Sequence, residues 1–383
     1  ERLPALRKKI IYLDQMAYSN MAKTLDPIWA AERRPQEPLW SRMFDALERA
    51  FKLQLIVCPT STIHERESAL AQHPSMVSAL YEHLSGGASF TYPVIIHQYQ
   101  LCVALGETLR GEPVTYNFRQ DLVIHGDPHE WLDRISIRVN MAGLAPDPAV
   151  VRDVRSRSYL AMLAWFQRWR GEHDKSFADW FAAERRALGD MFIELFVERA
   201  KLLDQVARAA APFSEEVWNP RLEAGVVAAL LGEAEEHGVR AEERLKTVVT
   251  FLRSEEGLNA PANDLSAALM ASLARKAASG QKRPPSPGMW NDVMAISSFL
   301  PYCDAMFVDN ECAGLLNEEP LKSKVEHFGT RLFSLNTVEA FLQYLAALEL
   351  EAGPDHLRLV ESVYGDKWSV PYRDVLIDQR ARP

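Results

Sequence analysis

The feature that most constrains this chain is a short apolar run that stops at an acid and recurs near the other end. Ile10-Ile11-Tyr12-Leu13 runs into Asp14, and Ala305-Met306-Phe307-Val308 runs into Asp309, with Asp304 just before it. Each run is too short for a helix and unbroken by polar residues, which is the pattern of a strand buried on both faces. A third run, Leu53 to Cys58, ends at Pro59. Thr60 or Ser61 then offers an N-cap for a helix that carries Glu65.

Helical periodicity fills the gaps between these strands. Asp14 to Leu25 reads as a helix, broken by Pro27 and the Pro35–Pro38 stretch. Leu39 to Phe51 reads as another, with Trp40, Met43, Phe44 and Leu47 at helical spacing. Asn291-Asp292 is expected to cap a helix through about Leu300, and Glu311–Leu316 to form a short one. Arg331–Leu335 follows as a strand, and Thr337–Leu350 as a helix. Strands alternating with helices predict an α/β fold with a short, mainly parallel sheet. The middle differs: it is rich in Ala, Leu, Glu and Arg, with helices expected over 176–211, Ala224–Glu236 and Leu265–Ala278. The expected organisation is one discontinuous α/β domain, 1–70 and 288–350, interrupted by a mainly helical insertion, 71–287. A C-terminal extension, 351–383, follows. Gly280–Gly288, with three prolines and two basic residues, reads as a linker.

Composition narrows the function classes. At 383 residues the chain can bury a sizeable core. A net charge of −9 argues against attraction of nucleic acid to the whole surface, leaving only local basic patches. The four cysteines, Cys58, Cys102, Cys303 and Cys312, show no CxxC spacing, which suits reduced thiols and a cytoplasmic setting. No apolar run approaches the roughly 18 residues of a membrane span, so no membrane partner is expected. The sequence begins Glu-Arg-Leu-Pro, so whether residue 1 is the natural start stays open. No GxxxxGK[ST] loop, GxGxxG turn or GxSxG elbow is present, which argues against a nucleotide-driven motor, a dinucleotide enzyme and a serine hydrolase.

Acids at strand exits are what a hard divalent cation requires. Mg²⁺ and Mn²⁺ take carboxylate and water oxygens in preference to sulfur or imidazole. Crowded carboxylates without an ion repel each other, and their pKa values rise. Such ions supply what phosphodiester hydrolysis needs: an activated water and neutralised charge on the phosphoryl oxygens.

Four segments resemble the PIN-like nuclease superfamily. IIYLDQ matches the family's first acid at Asp14, and CPTSTIHERES its second at Glu65, with Glu67 as the alternative. WNDVMAISSFLPYCD matches the third at Asp292, and CDAMFVDNECAGLL the strand flanked by acids, with Asp309 favoured as ligand and Asp304 as companion. RLFSLNT matches the last strand. The resemblance covers roughly 8–70 and 288–350, and departs from the family in the two hundred or so residues between the second and third acids. It implies a three-layer α/β/α fold and a Mg²⁺- or Mn²⁺-dependent endoribonuclease acting on single-stranded or looped RNA, leaving 5′-phosphate and 3′-hydroxyl ends. Asp14, Asp292 and Asp309 would hold the principal ion. Glu65 would complete the shell or orient the water, and Asp304 would serve a second ion. Two other readings stand beside it: a PIN-like scaffold without catalysis that binds a protein partner through the insertion, and a small-molecule phosphohydrolase.

Weaker features complete the reading. Asn20, Ser61, His64 and Asn310 are candidate polar helpers, and Lys282 and Arg283 candidate phosphate contacts on the linker. His64 beside Glu65 could touch a phosphate or a water, but reads more readily as a packing or surface residue, since adjacent helical positions diverge by about 100°. Arg275 and Lys276 join Lys282 and Arg283 in one basic cluster. A second cluster, Arg152, Arg155, Arg157, Arg168 and Arg170 around Tyr159, Trp165, Phe166 and Trp169, reads more readily as a solvated helix face over a core stripe than as a strand-binding surface. His125-Gly126-Asp127-Pro128-His129-Glu130 has ligand-type side chains but reads as a surface turn.

Overall fold

The computed structural model describes residues 3–25, 38–71, 74–132, 147–208 and 221–365. The expected breaks at Pro27 and Pro35, the 209–211 end of the 176–211 helix and the chain after Gly365 lie outside these residues. Helices dominate, around a small parallel sheet. The strands are β1 (Lys9–Leu13), β2 (Ile56–Val57), β3 (Ser89–Phe90), β4 (Ile124–His125), β5 (Ala305–Phe307) and β6 (Arg331–Phe333). In the first part of the chain the helices are α1 (Gln15–Leu25), α2 (Leu39–Lys52), α3 (Thr62–Ser68), α4 (Pro74–Ser85) and α5 (Pro93–Arg110). The middle contributes α6 (Pro148–Arg170), α7 (Phe177–Ala207), α8 (Val226–Glu236), α9 (Ala241–Leu252), α10 (Glu255–Leu258) and α11 (Pro261–Ala278). The last part contributes α12 (Met289–Phe299), α13 (Asn310–Leu316), α14 (Leu321–Phe328) and α15 (Val338–Tyr364).

The main sheet has the order β2-β1-β5-β6, all parallel. Strand β1 is central because its Ile-Ile-Tyr-Leu run has no polar side chain to keep wet. Its side chains alternate between two cores. Ile10 and Tyr12, with Met306 and Val308, enter a core shared with α5, α6, α11 and α12. Ile11 and Leu13, with Ala305 and Phe307, enter a second core shared with α1, α2, α4 and α15. Helices therefore cover both faces of the sheet. The middle helices α6 and α11 pack directly on the sheet core, through Met162, Phe166, Trp169, Leu265 and Leu269. A third apolar cluster, around Leu105, Phe192, Leu230 and Phe251, holds α5, α7, α8 and α9 together.

The short antiparallel pair β3–β4 was not expected from the sequence, because each strand is only two residues long. It places His125 on an exposed strand end, where Nε2 lies 2.8 Å from the Thr91 hydroxyl. Asp127 accepts the His129 backbone N–H at 3.0 Å, so this stretch is a side-chain-capped turn. Helix α15 runs on to Tyr364, past the expected end at Leu350, with a break at Gly353, where φ is +75°. None of the described helices is long and apolar enough to cross a membrane.

Asp304 differs from expectation. It precedes β5, whereas Asp309 follows it, so the two acids lie at opposite ends of the sheet. Asp304 latches the entry edge: it accepts the Ile10 N–H at 2.9 Å, the Lys9 ammonium at 2.9 Å and the Gln120 amide at 3.2 Å. Asp304→Ala is expected to cost about 2–3 kcal/mol of unfolding free energy, because it leaves the Ile10 N–H without its acceptor. Urea denaturation checks this, and an unchanged midpoint would show that the latch contributes nothing.

Candidate functional site

The order β2-β1-β5-β6 creates a topological switch point between β1 and β5. The chain leaves β1 toward β2 on one side and returns through β5 on the other. In open parallel sheets the crevice outside the strand carboxyl ends at such a point is where ligands bind. The register pairs Leu13 with Phe307, and the Asp14 N–H donates to the Phe307 carbonyl at 2.9 Å. Asp14 and Asp309 thus leave neighbouring strands side by side.

A cleft of about 380 Å³ opens there, lined by four acids, Asp14, Glu67, Asp292 and Asp309, together with Ser19, Arg155 and the Ser286–Gly288 segment. That volume is within the range of small-ligand cavities. Asp14 accepts the Met16 N–H at 2.8 Å and so caps α1. Asp309 accepts the Cys312 N–H at 2.6 Å and caps α13. Asp292 sits in the first turn of α12, which begins at Met289, so the acid lies inside the helix and not at its cap as expected. Three helix N-termini therefore converge on the cleft, and their exposed N–H dipoles favour negative charge there. Glu67 accepts the Asn291 side-chain amide at 2.8 Å, which ties α3 to α12 beside Asp292.

The carboxylates perturb one another. Burial raises the Asp14 pKa to about 7, and the nearby charges of Glu67 and Asp309 add to the rise. Burial likewise pushes Asp292 well above the usual carboxylate range, reinforced by Asp14, Glu67 and Asp309. Glu67 is raised by burial, against the opposing effects of Asn291 and Arg155. Among the described residues, Arg155 is the only cationic side chain on the cleft wall.

Donor atoms of Asp292, Asp309 and Cys312 lie within 4.8 Å of one another, the only such group of metal-binding side chains among the described residues. Cys312 is a poor ligand for a hard ion. Burial first, then the neighbouring acids, hold its thiol well above its ordinary pKa, and the thiol is a hydrogen-bond partner of Asp309. What remains of the group is two carboxylates, Asp292 and Asp309, with Asp14 and Glu67 further off on the same wall; oxygen donors of this kind suit a hard cation better than a soft one.

The other candidate residues are placed as follows. Glu65 is exposed and off the cleft, and Glu67 occupies the wall in its stead. Helical phase explains this: α3 buries Ile63, His64 and Ser68. Glu67 lies three to four residues from Ile63 and His64, on the same side, whereas Glu65 points away. Ser61 is buried and caps α3 by accepting the His64 N–H at 3.3 Å. Asn20 donates to the Met16 carbonyl at 2.9 Å and does not line the cleft. Asn310 accepts the Asn336 N–H at 3.2 Å.

His64 is a core residue. It is fully buried, with Nε2 2.9 Å from the Leu13 carbonyl and its ring stacked near Tyr12 and Tyr81 at 5.1 and 4.9 Å. Facing a carbonyl, Nε2 carries the proton and donates. Burial lowers the His64 pKa to about 4, so the ring is neutral. It holds the residue immediately before Asp14 and positions that acid without touching the cleft.

Lys282 and Arg283 are exposed, while the other end of their segment, Ser286–Gly288, forms part of the rim. Arg275 and Lys276 are engaged elsewhere, on Glu318 at 3.1 and 2.9 Å. The residue that sequence reasoning set aside is Arg155. Its signal was helical phase: Arg155, Tyr159, Met162, Phe166 and Trp169 fall on one face of α6.

Comparison with protein-family models, curated proteins and solved structures returned no match for this chain.

The Asp14 shift sets a sign for the pH dependence of stability. Its folded pKa of about 7 lies above the ordinary 3.8, so the folded state binds the proton more tightly than the unfolded state. For the ion-free protein, this group's contribution is therefore intact below about pH 4 and is lost progressively as pH rises toward 7. Asp14→Asn keeps the cap and removes the titration. It is expected to stabilise the ion-free protein by at least about 1 kcal/mol at pH 8 and to flatten the profile between pH 4 and 7. Thermal unfolding in chelator across that range checks both, and a variant profile parallel to wild type would contradict the assignment.

Proposed function

We propose that this chain is a Mg²⁺- or Mn²⁺-dependent endoribonuclease built on a PIN-like three-layer α/β/α domain. The observation that carries the reading is the convergence of Asp14, Glu67, Asp292 and Asp309 on one cleft at the strand ends, from segments some 280 residues apart in sequence. The choice of RNA rests on the resemblance of the four acid-bearing segments to that superfamily.

Asp14, Asp292 and Asp309 would hold the ion, with Glu67 taking the role first assigned to Glu65. When bound, a divalent ion there supplies neutralising charge for a phosphodiester and lowers the pKa of water. The chain's own residues prepare for this. Asp14, Asp309 and Glu67 are each oriented by a fixed donor, the N–H of Met16, the N–H of Cys312 and the Asn291 amide. Such oriented acids require little rearrangement on binding. The upward pKa shifts of Asp14 and Asp292 reflect burial and mutual repulsion, which a cation would relieve. Neutral His64, holding the Leu13 carbonyl, keeps Asp14 at the mouth of β1.

The test couples binding to cleavage. Mn²⁺ is expected to raise the melting temperature of the wild-type protein, and Asp14→Asn with Asp292→Asn to abolish that shift. Cleavage of a labelled single-stranded RNA oligomer should fall at least about 100-fold in Asp14→Asn and in Glu67→Gln, while Glu65→Gln stays within about twofold of wild type. A Mn²⁺ shift without cleavage of RNA or of a generic phosphate ester would favour a non-catalytic scaffold. Turnover of the ester alone would favour a phosphohydrolase.

A further inference from the structure

The helical middle of the chain contributes a side chain to the cleft. Helix α6 is anchored in the sheet core by Met162, Phe166 and Trp169. It is braced against α12 by Trp165, whose ring lies 5.8 Å from that of Trp290. Arg155 stands seven residues before Met162. Seven residues are close to two helical turns, so it projects in the same direction as the buried stripe, about 10 Å further along the axis. There α6 has run past the core, and Arg155 reaches the wall of the acidic cleft.

Three other arginines of the helix have contacts of their own. Arg157 pairs with Asp153 at 2.7 Å, Arg168 with Glu172 at 3.7 Å, and Arg170 lies over Phe166 at 5.9 Å. Arg155 is exposed and makes no hydrogen bond or ion pair with any described residue. Its charge is felt by Glu67, whose own hydrogen bond goes to Asn291. An exposed arginine held loosely near one carboxylate gains little stability from it. The same guanidinium is a permanent cation with a fork of donors matched to phosphate oxygens. On a wall of four acids, a polyanion meets no other positive side chain among the described residues.

We propose that Arg155 holds a backbone phosphate of the bound strand, which makes α6 part of the substrate-binding surface. The assignment rests on the reading of the cleft as a nuclease centre. It gives the middle segment a direct task in binding, separate from any partner it recruits. A guanidinium at the rim also orients the strand, since phosphates contact Arg155 while the acids face the phosphodiester to be cut.

The test uses the full chain, a labelled single-stranded RNA oligomer and Mn²⁺. Arg155→Gln is expected to lower kcat/KM by about 10- to 100-fold, chiefly through KM, with the Mn²⁺-induced thermal shift unchanged. The salt dependence should also weaken: the slope of log kcat/KM against log salt is expected to fall by about 0.7, one phosphate contact on a single strand. Arg155→Lys should recover part of the loss. A kcat/KM within about twofold of wild type, or an unchanged salt slope, would overturn the proposal while leaving the nuclease reading standing. Loss of the Mn²⁺ shift in Arg155→Gln would overturn it too, by showing that the arginine serves the acids through Glu67. Absence of both cleavage and a Mn²⁺ shift in the wild-type protein would overturn both readings together.

Discussion

The parallel pairing of β1 with β5 is the contact on which the rest of this molecule depends. Ile11, Tyr12 and Leu13 stand opposite Ala305, Met306 and Phe307, nearly three hundred residues away in sequence. Closing so long a loop is entropically costly, though the cost grows only slowly with length. What offsets it is apolar burial on two faces at once. Each strand sends alternate side chains into separate cores, and the helices on either side bury their apolar stripes against them. Once that register is set, the backbone delivers Asp14 and Asp309 to adjacent strand ends without any attraction between the two acids.

The acids themselves oppose the fold. Among the described residues, four carboxylates share one small cleft with a single guanidinium. The protein tolerates the arrangement because the surrounding backbone is polarised in the right sense: α1, α12 and α13 all begin there, and two of the acids serve as their caps. Even so, the shifts at Asp14 and Asp292 show that the dipoles do not cancel the combined cost of burial and repulsion. The acid at the other end of β5 makes the contrast plain. Asp304 meets a lysine, a backbone N–H and an amide, and its role there is structural.

The middle helices are not a separate body hung on the sheet. Trp169, Phe166 and Leu269 share a core with Ile10 and Met306. Removing that segment would uncover one face of the central strands. Fold and cleft are therefore coupled, because the helix that buries the sheet is also the one that carries Arg155 to the acids.

Much of this was legible along the chain. Unbroken apolar runs ending in acids identified β1 and β5, because a strand buried on both faces has no place for polar side chains and its first acid marks the exit. Helical spacing located α1, α2 and α11 to within a few residues, and Asp14, Asp292 and Asp309 stood out as acids at element boundaries. Glu67 and Arg155 were harder, since both depend on which side of a helix faces inward. That phase is set by Ile63, His64, Met162 and Phe166 and can be assigned only once their burial is known. The role of Asp304 was hidden for a different reason. Its place before the strand is plain in the sequence, but its partners Lys9, Ile10 and Gln120 are brought to it only by the assembled sheet. Local pattern thus determined the four strands of the main sheet and most of the helices beside them, because the period of apolar residues is a local property. Tertiary structure decided which acids meet, because that depends on sheet order, register and the packing of a distant helix.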